Sequence, residues 1–307
     1  MPKVSVLIPV YNVEKFIRRC LESVMNQSLT DIEIIVVNDF TPDNSMAIVH
    51  ELAGVDDRIQ IIENEKNRGL MVARQVAYVA AKGDYITFCD SDDTMPKDAL
   101  KDLYEAAVDS GADIVAGAME FVSIKGERKY KGNKLSYGSD SIAMYRSMLT
   151  GEMNQNLCSK LYKRELLQGY EYVTLEDATC GEDGNLNYQV AEHIKKCVTI
   201  DSAVYEYRQN EESTTNTPRN EKALISIAHL QKLRYDLALR HPEIKKLLFR
   251  KISYIYLESK ITRDNYGSYY KEVGLESFTN VFKCLMRQKF LVALKLIASY
   301  VKHKIFN

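Results

Sequence analysis

No run in these 307 residues approaches the roughly 20 consecutive apolar residues that cross a bilayer, so a membrane-spanning helix is not expected. The opening Val4–Val10 is a short β-like run interrupted by Pro9, without the charged-then-long-apolar layout of a secretory signal. The six cysteines, Cys20, Cys89, Cys158, Cys180, Cys197 and Cys284, form no CxxC pair, and several sit inside apolar runs. That pattern indicates neither a zinc site nor a disulfide framework, and a reducing, cytoplasmic compartment is expected. No GxGxxG opens the first helical segment and no GxxxxGK[ST] occurs anywhere, which argues against a dehydrogenase or a P-loop enzyme. The formal net charge is only -1, and the basic residues gather around no RNA- or DNA-reading motif, so nucleic acid is not an expected partner.

The near-zero net charge conceals an asymmetry. Residues 1–218 carry 23 Lys and Arg against 35 Asp and Glu, whereas residues 219–307 carry 18 against 7. Composition changes at the same place. The polar stretch Gln209 to Asn220 reads as a linker, after which the chain turns Lys-, Leu- and Tyr-rich with helical spacing and no proline beyond Pro242. A boundary is expected near Pro218, with a catalytic-type domain over 1–218 and a helical C-terminal region over 219–307.

Within 1–117 the pattern alternates. Runs rich in β-branched residues at Val4 to Pro9, Ile32 to Asn38, Ile59 to Glu63, Tyr85 to Cys89 and Ile114 to Ala116 read as strands covered on both faces. Helical segments lie between them: Val13 to Asn26 after Asn12, Asn44 to Ala53 after Asp43, Leu70 to Ala81 after Gly69, and Lys97 to Ser110 after Pro96. This alternation predicts an α/β fold, a mainly parallel central sheet with helices on both faces.

Asp90-Ser91-Asp92-Asp93 follows the fourth strand directly, where α/β sheets place ligands. Three acids in four residues repel one another, and hard oxygen ligands of this kind suit Mg²⁺ or Mn²⁺. A simple cap for the helix that follows is the plainer alternative, although one Asp is enough for a cap.

Four segments stand in order: Val4-Ser5-Val6-Leu7-Ile8-Pro9-Val10-Tyr11-Asn12; Val37-Asn38-Asp39 with Asp43-Asn44-Ser45; Asn67-Arg68-Gly69-Leu70 with Ala73-Arg74; and Gly83-Asp84-Tyr85 leading into Asp90-Ser91-Asp92-Asp93. Together they resemble the family 2 glycosyltransferases of the GT-A fold. Weaker likeness runs on to about Arg208. The resemblance implies a nucleotide-sugar half over about 1–117 and an acceptor half over about 118–218. It also implies a donor linked to a nucleoside diphosphate, typically UDP, a divalent cation, and transfer with inversion at the anomeric carbon. By the same carry-over Pro9 to Tyr11 line the nucleobase pocket, Asp39 accepts from the base N3–H, and Arg74 holds base or phosphates. Asp90 then meets the ribose or donor sugar and Asp92 the metal, with Asp93 a neighbouring acid. The base that takes the acceptor proton falls on Asp183, beside Glu182; a helix cap at Asp183 is compatible with that role.

Lys160 or Arg208 would steady the diphosphate, or else be solvated charges beside strands. One departure stands out: the family's common Gly-Ser-Thr after Asn-Asp is replaced by Phe40-Thr41-Pro42, with a proline of fixed φ. The QxxRW box of processive synthases is absent, so transfer of one sugar to a glycan or lipid-linked acceptor in cell-surface polysaccharide synthesis is the expected activity. A sugar nucleotidyltransferase and a non-catalytic nucleotide-sugar binding protein are the alternatives. Phe290 to Lys304 has the layout of an interfacial helix, which with the basic tail suggests contact with anionic membrane; packing on the catalytic domain or a homodimer contact fits the same pattern.

Overall fold

The computed structural model describes residues 1–174, 181–210, 221–245 and 247–248. The chain divides into two compact units, Met1–Arg219 and Asn220–Asn307.

The first unit is built on one mixed sheet. Strand β1 (Val4–Val10) is buried at every position and pairs in parallel with β2 (Ile32–Asn38) and β4 (Tyr85–Phe88), while β3 (Ile59–Glu63) pairs in parallel with β2. β1, β2 and β4 are covered on both faces and so are mainly apolar, whereas β3, expected to be covered likewise, lies at the sheet edge with Gln60 and Glu63 exposed. The helices α1 (Ile17–Met25), α2 (Ser45–Ala53), α3 (Leu70–Ala80) and α4 (Ala99–Ser110) make the crossovers. α1 begins at Ile17 rather than Val13 because the chain ahead of it is held in a turn. Asn12 sits at φ 54°, and the N–H groups of Val13 and Glu14 donate to the Ser45 hydroxyl at 3.2 Å and the Asp43 carboxylate at 2.8 Å.

Antiparallel strands complete the sheet. β5 (Ile114–Val122) runs past its expected end at Ala116, β6 (Arg128–Lys131) pairs with it, and β7 (Lys160–Lys163) bridges β5 to β4. The order is β3-β2-β1-β4-β7-β5-β6, and β8 (Cys197–Arg208) pairs with β5 in parallel across a bulge. Gly117 allows this approach: a Cβ there would stand 2.5 Å from the Val204 side chain. The remaining helices are α5 (Ser141–Thr150), α6 (Arg164–Gln168) and α7 (Glu182–Ala191). Asp140 caps α5 by accepting from the Ala143 N–H at 2.9 Å, the ordinary way of satisfying a free helix-terminal donor. α7 starts four residues ahead of the expected Leu186, and that brings its two acids onto the helix.

The core is aliphatic and aromatic, with Leu7, Ile8, Phe88, Leu161 and Tyr162 fully buried and the rings of Phe88 and Tyr162 meeting edge to face at 5.9 Å. Cys20, Cys89, Cys158 and Cys197 are free and buried. In the second unit, α8 (Glu221–Arg240) buries Ile227, Leu230 and Leu237. Among the described residues no helix is long and apolar enough to cross a membrane. The expected interfacial helix at Phe290 to Lys304, most of the expected linker, Cys180 and Cys284 lie outside the described residues.

Candidate functional site

Parallel strands β2, β1 and β4 are neighbours, so their carboxyl ends open side by side and deliver Asn38-Asp39, Tyr11 and Asp90 to one edge of the sheet. Pro9 is buried within β1, opposite Val37, while Tyr11 is 48% exposed just beyond the strand. Asp39 is buried and organises the loop before α3. It accepts from the Arg68 N–H at 3.0 Å, the Asn64 amide at 2.9 Å and the Gly69 N–H at 2.8 Å. Gly69 has φ 85°, a left-handed conformation that a side chain disfavours. A carboxylate has about four acceptor positions, so three internal donors leave Asp39 room for one more.

The turn after Asp39 carries a backbone conformation rare for a bulky residue. Phe40 has φ 59° and is 61% exposed. Around it the Thr41 N–H donates to the Asn38 side chain at 2.8 Å, and the Thr41 hydroxyl donates to Asp43 at 2.7 Å.

Arg74 projects from α3 and is 2% exposed, with two carboxylates on its guanidinium: Asp90 at 2.7 Å through Nη2 and Asp183 at 2.5 Å through Nη1. Glu182 stands 4.0 Å from the same nitrogen as Asp183. Asp183 also accepts from the Leu157 N–H at 3.3 Å. Burial pushes the Asp183 carboxyl above its ordinary range, Arg74 opposes that shift, and the Asp90 charge adds to it. Glu182 is raised too, first by burial and then by the Asp183 charge. Both acids sit in the first turn of α7, where the helix dipole favours negative charge.

The three acids after β4 separate. Asp90 faces Arg74 and takes the Cys158 thiol at 3.4 Å. Asp93 turns inward, 1% exposed, and accepts from the Tyr205 hydroxyl and the Arg208 N–H, each at 2.7 Å. Burial raises its carboxyl well above the usual range, with Asp92 and Asp90 adding to the effect. Asp92 accepts from the Asn210 amide at 2.9 Å, and among the described residues no cation is ion-paired with it. Burial and then the Asp90 charge raise its carboxyl. Arg74, Tyr205, the Arg208 amide and Asn210 offset part of the mutual repulsion, while the Asp90 charge still raises the Asp92 carboxyl and both raise that of Asp93. Among the described residues no three His, Cys, Asp or Glu side chains converge as a metal-binding set. Asp92, whose carboxyl forms no ion pair among the described residues although the nearby Arg19 charge favours its ionised form, fits a divalent ion of the kind held by one or two carboxylates together with substrate phosphates.

Lys160, expected at a diphosphate or in solvent, is in neither place. It is fully buried, and its ammonium donates to the Asn154 carbonyl at 2.9 Å, to the Asn156 carbonyl, and to the Asn156 side chain at 3.1 Å. Burial lowers its pKa to about 8, with Asp183 pulling the other way. Asn187 ties the same loop through the Gln155 and Asn156 carbonyls. This loop delivers the Leu157 N–H to Asp183. Arg208 braces the acid loop instead of standing free, with Nε to the Thr94 hydroxyl at 3.0 Å and Nη2 to Glu206 at 2.6 Å. Cys158, Tyr205, Asn210 and the Leu157 N–H are partners whose positions depend on long-range pairing.

The family model for glycosyl transferase family 2 matches residues 5–170. The uncharacterized glycosyltransferase EpsJ of Bacillus subtilis (strain 168) is 34% identical over 230 residues, 71% of this chain and 64% of that one. The chain thus spans just under two thirds of this relative's length. Among solved structures, S. aureus TarS 1–349 in complex with UDP-GlcNAc superimposes with TM-score 0.71 at 19% identity, covering 92% of this chain and 81% of that one. The mannosyltransferase PcManGT of Pyrobaculum calidifontis, in complex with GDP-Man and Mn²⁺, gives TM-score 0.58 at 17% identity, covering 98% and 87%. Those likenesses show a shared GT-A architecture, and with the match across more than half its length the chain belongs to glycosyl transferase family 2.

Proposed function

We propose that residues 1–219 form an inverting glycosyltransferase that moves one sugar from a nucleotide-diphosphate donor, UDP-linked, to a glycan or lipid-linked acceptor of a cell-surface polysaccharide. The observation that carries this reading is the convergence of Asp90 and Asp183 on Arg74, one acid from the donor-side strand end and one from a helix 109 residues away from Arg74 in sequence. Transfer needs a donor held at the strand ends and a base facing it across the anomeric carbon, and this pairing fixes both groups about one rigid cation.

In this reading Tyr11 and Phe40 border the base and Asp39 accepts from it. Asp90 meets the ribose or the donor sugar. The Asp183 carboxylate takes the acceptor hydroxyl proton while that oxygen bonds to the anomeric carbon. The bond from that carbon to the diphosphate oxygen breaks, the nucleoside diphosphate leaves with the electron pair, and the configuration inverts. A raised pKa suits the task, because a carboxyl nearer neutrality is a stronger base. Asp92 would hold Mg²⁺ or Mn²⁺, which when bound neutralises charge on the diphosphate. The nucleotide complex of TarS and the Mn²⁺ complex of PcManGT support the donor and metal assignments.

A panel of UDP- and GDP-sugars tested by thermal shift with and without Mn²⁺ checks the donor. The expected result is stabilisation by UDP and its sugars, greater with metal. Stabilisation by GDP-sugars alone would reassign the base, and none by any nucleotide would contradict the reading.

A further inference from the structure

Strands β5, β6 and β8 sort their side chains onto two faces with different chemistry. Met119 lies opposite Lys131 on β6 and Tyr205 on β8; Phe121 lies opposite Lys129 and Tyr207. Directly paired residues share a face, so these six side chains stand on one side of the sheet. Glu120, Tyr130 and Glu206 take the other side, where Arg128 is ion-paired with both glutamates.

Side chains of the lysine-bearing face reach the candidate site, while Glu206 of the other face holds its acid loop through the Thr94 hydroxyl. The Tyr205 hydroxyl donates to Asp93 at 2.7 Å. Met119 Sδ accepts from the Asn154 and Asn156 side-chain amides at 3.3 and 2.6 Å, on the loop whose Leu157 N–H reaches Asp183. Lys131 is close enough to the buried Lys160 for its charge to act there.

Lys129 and Lys131 are exposed, and among the described residues no acid is paired with either. Two positions apart on a strand, they stand about 7 Å from each other, a spacing two neighbouring phosphates can span. Beside them the half-buried rings of Phe121 and Tyr207 lie 5.5 Å apart and offer an apolar platform. The site gathers more carboxylates than Arg74 can neutralise, and the charge of two lysines on this face would offset the repulsion an anionic acceptor meets there.

We propose that this face is the acceptor subsite and that its acceptor is a chain bearing phosphodiester groups, a polyol phosphate or a phosphodiester-linked glycan. The lysines would hold the phosphates and the aromatic pair would support the carbon skeleton between them. The proposal rests on the glycosyl-transfer reading above.

The test is fluorescence anisotropy with a labelled glycerol phosphate oligomer, run on the full chain alongside UDP calorimetry with Mn²⁺. Wild type should bind the oligomer, more weakly as salt rises. Lys129→Ala/Lys131→Ala should weaken oligomer binding about tenfold or more, and Phe121→Ala should weaken it severalfold, each with UDP affinity unchanged. Normal UDP binding with no oligomer binding, or equal oligomer binding by the double variant, would overturn the subsite alone. Equal affinity for an oligonucleotide of matching charge through the same lysines would reduce the face to a general polyanion patch and overturn it as well. Binding of phosphatidylglycerol vesicles through these lysines, without the oligomer, would assign the face to a membrane. Failure of wild type to bind UDP would instead count against the transfer reading.

Discussion

Arg74 and Asp183 meet at 2.5 Å, and the other arm of the same guanidinium reaches Asp90 at 2.7 Å. α3, the strand end after β4 and the start of α7 are thereby joined through one buried cation. An arginine suits this place because its fork serves two carboxylates in fixed directions, which an ammonium does not.

Arg74→Met should leave two partly buried carboxylates without their shared countercharge, and breaking a buried pair costs about 3–5 kcal/mol. Asp183 already has a raised pKa, and losing the opposing cation raises it further. The instability should therefore be largest at neutral and higher pH and shrink as pH falls and the carboxyls protonate. Arg74→Lys should lie between wild type and Arg74→Met. Thermal melts of the three proteins across pH check this; equal melting temperatures at neutral pH would contradict it.

Phe40→Gly tests whether a strained backbone is kept for function. Glycine adopts φ near 59° without the cost of a Cβ, so stability should hold or rise slightly. UDP binding should weaken, since loss of an aromatic surface beside a base costs about 1 kcal/mol or more. Calorimetry showing unchanged UDP affinity would remove Phe40 from the nucleotide site.

Lys160 holds the Asn154–Leu157 loop that reaches Asp183, and in the proposed mechanism it is a positioning residue. Lys160→Met preserves much of the volume but strips the Asn154 and Asn156 carbonyls of a charged donor. Transfer should fall about tenfold with little change in donor KM. The wild-type rate should rise through the ionisation of the raised carboxyls and fall again near pH 8 as Lys160 loses its proton; the alkaline fall should vanish in the variant. An alkaline limb that persists in Lys160→Met would belong to another group.

Asp92→Ala should abolish the metal-dependent part of UDP affinity and leave the rest. Calorimetry with and without Mn²⁺ is the check, and identical metal dependence in both proteins would move the metal elsewhere.

The first half of the fold is legible because buried parallel strands and their crossover helices write their periods directly into the sequence. Val4–Val10 and Ile32–Asn38 need no partner to be recognised. The second half is harder to read. β7 is four residues long and contains two lysines, and β8 is half-exposed, so pairing with β4 and β5 defines them more than their own pattern does. Electrostatics hides in the same way. Asp90, Asp92 and Asp93 look like one metal cluster in sequence, but their partners arrive from α3, β8 and Asn210, at separations of 16 to 118 residues. Lys160 looks like a surface cation because the sequence does not show that the loop four to six residues before it folds back to aim the Asn154 and Asn156 oxygens at its ammonium.

The most direct test of the account is release of UDP from UDP-sugars in the presence of Mn²⁺, compared between wild type and Asp183→Asn with UDP affinity measured on both. The substitution keeps size and most hydrogen bonding while removing the base. The account predicts nearly equal UDP affinity and a loss of turnover of roughly a hundredfold or more, for acceptor or for water as the attacking group. Equal turnover in the two proteins, with UDP bound by both, would contradict Asp183 as the base and with it the proposed mechanism.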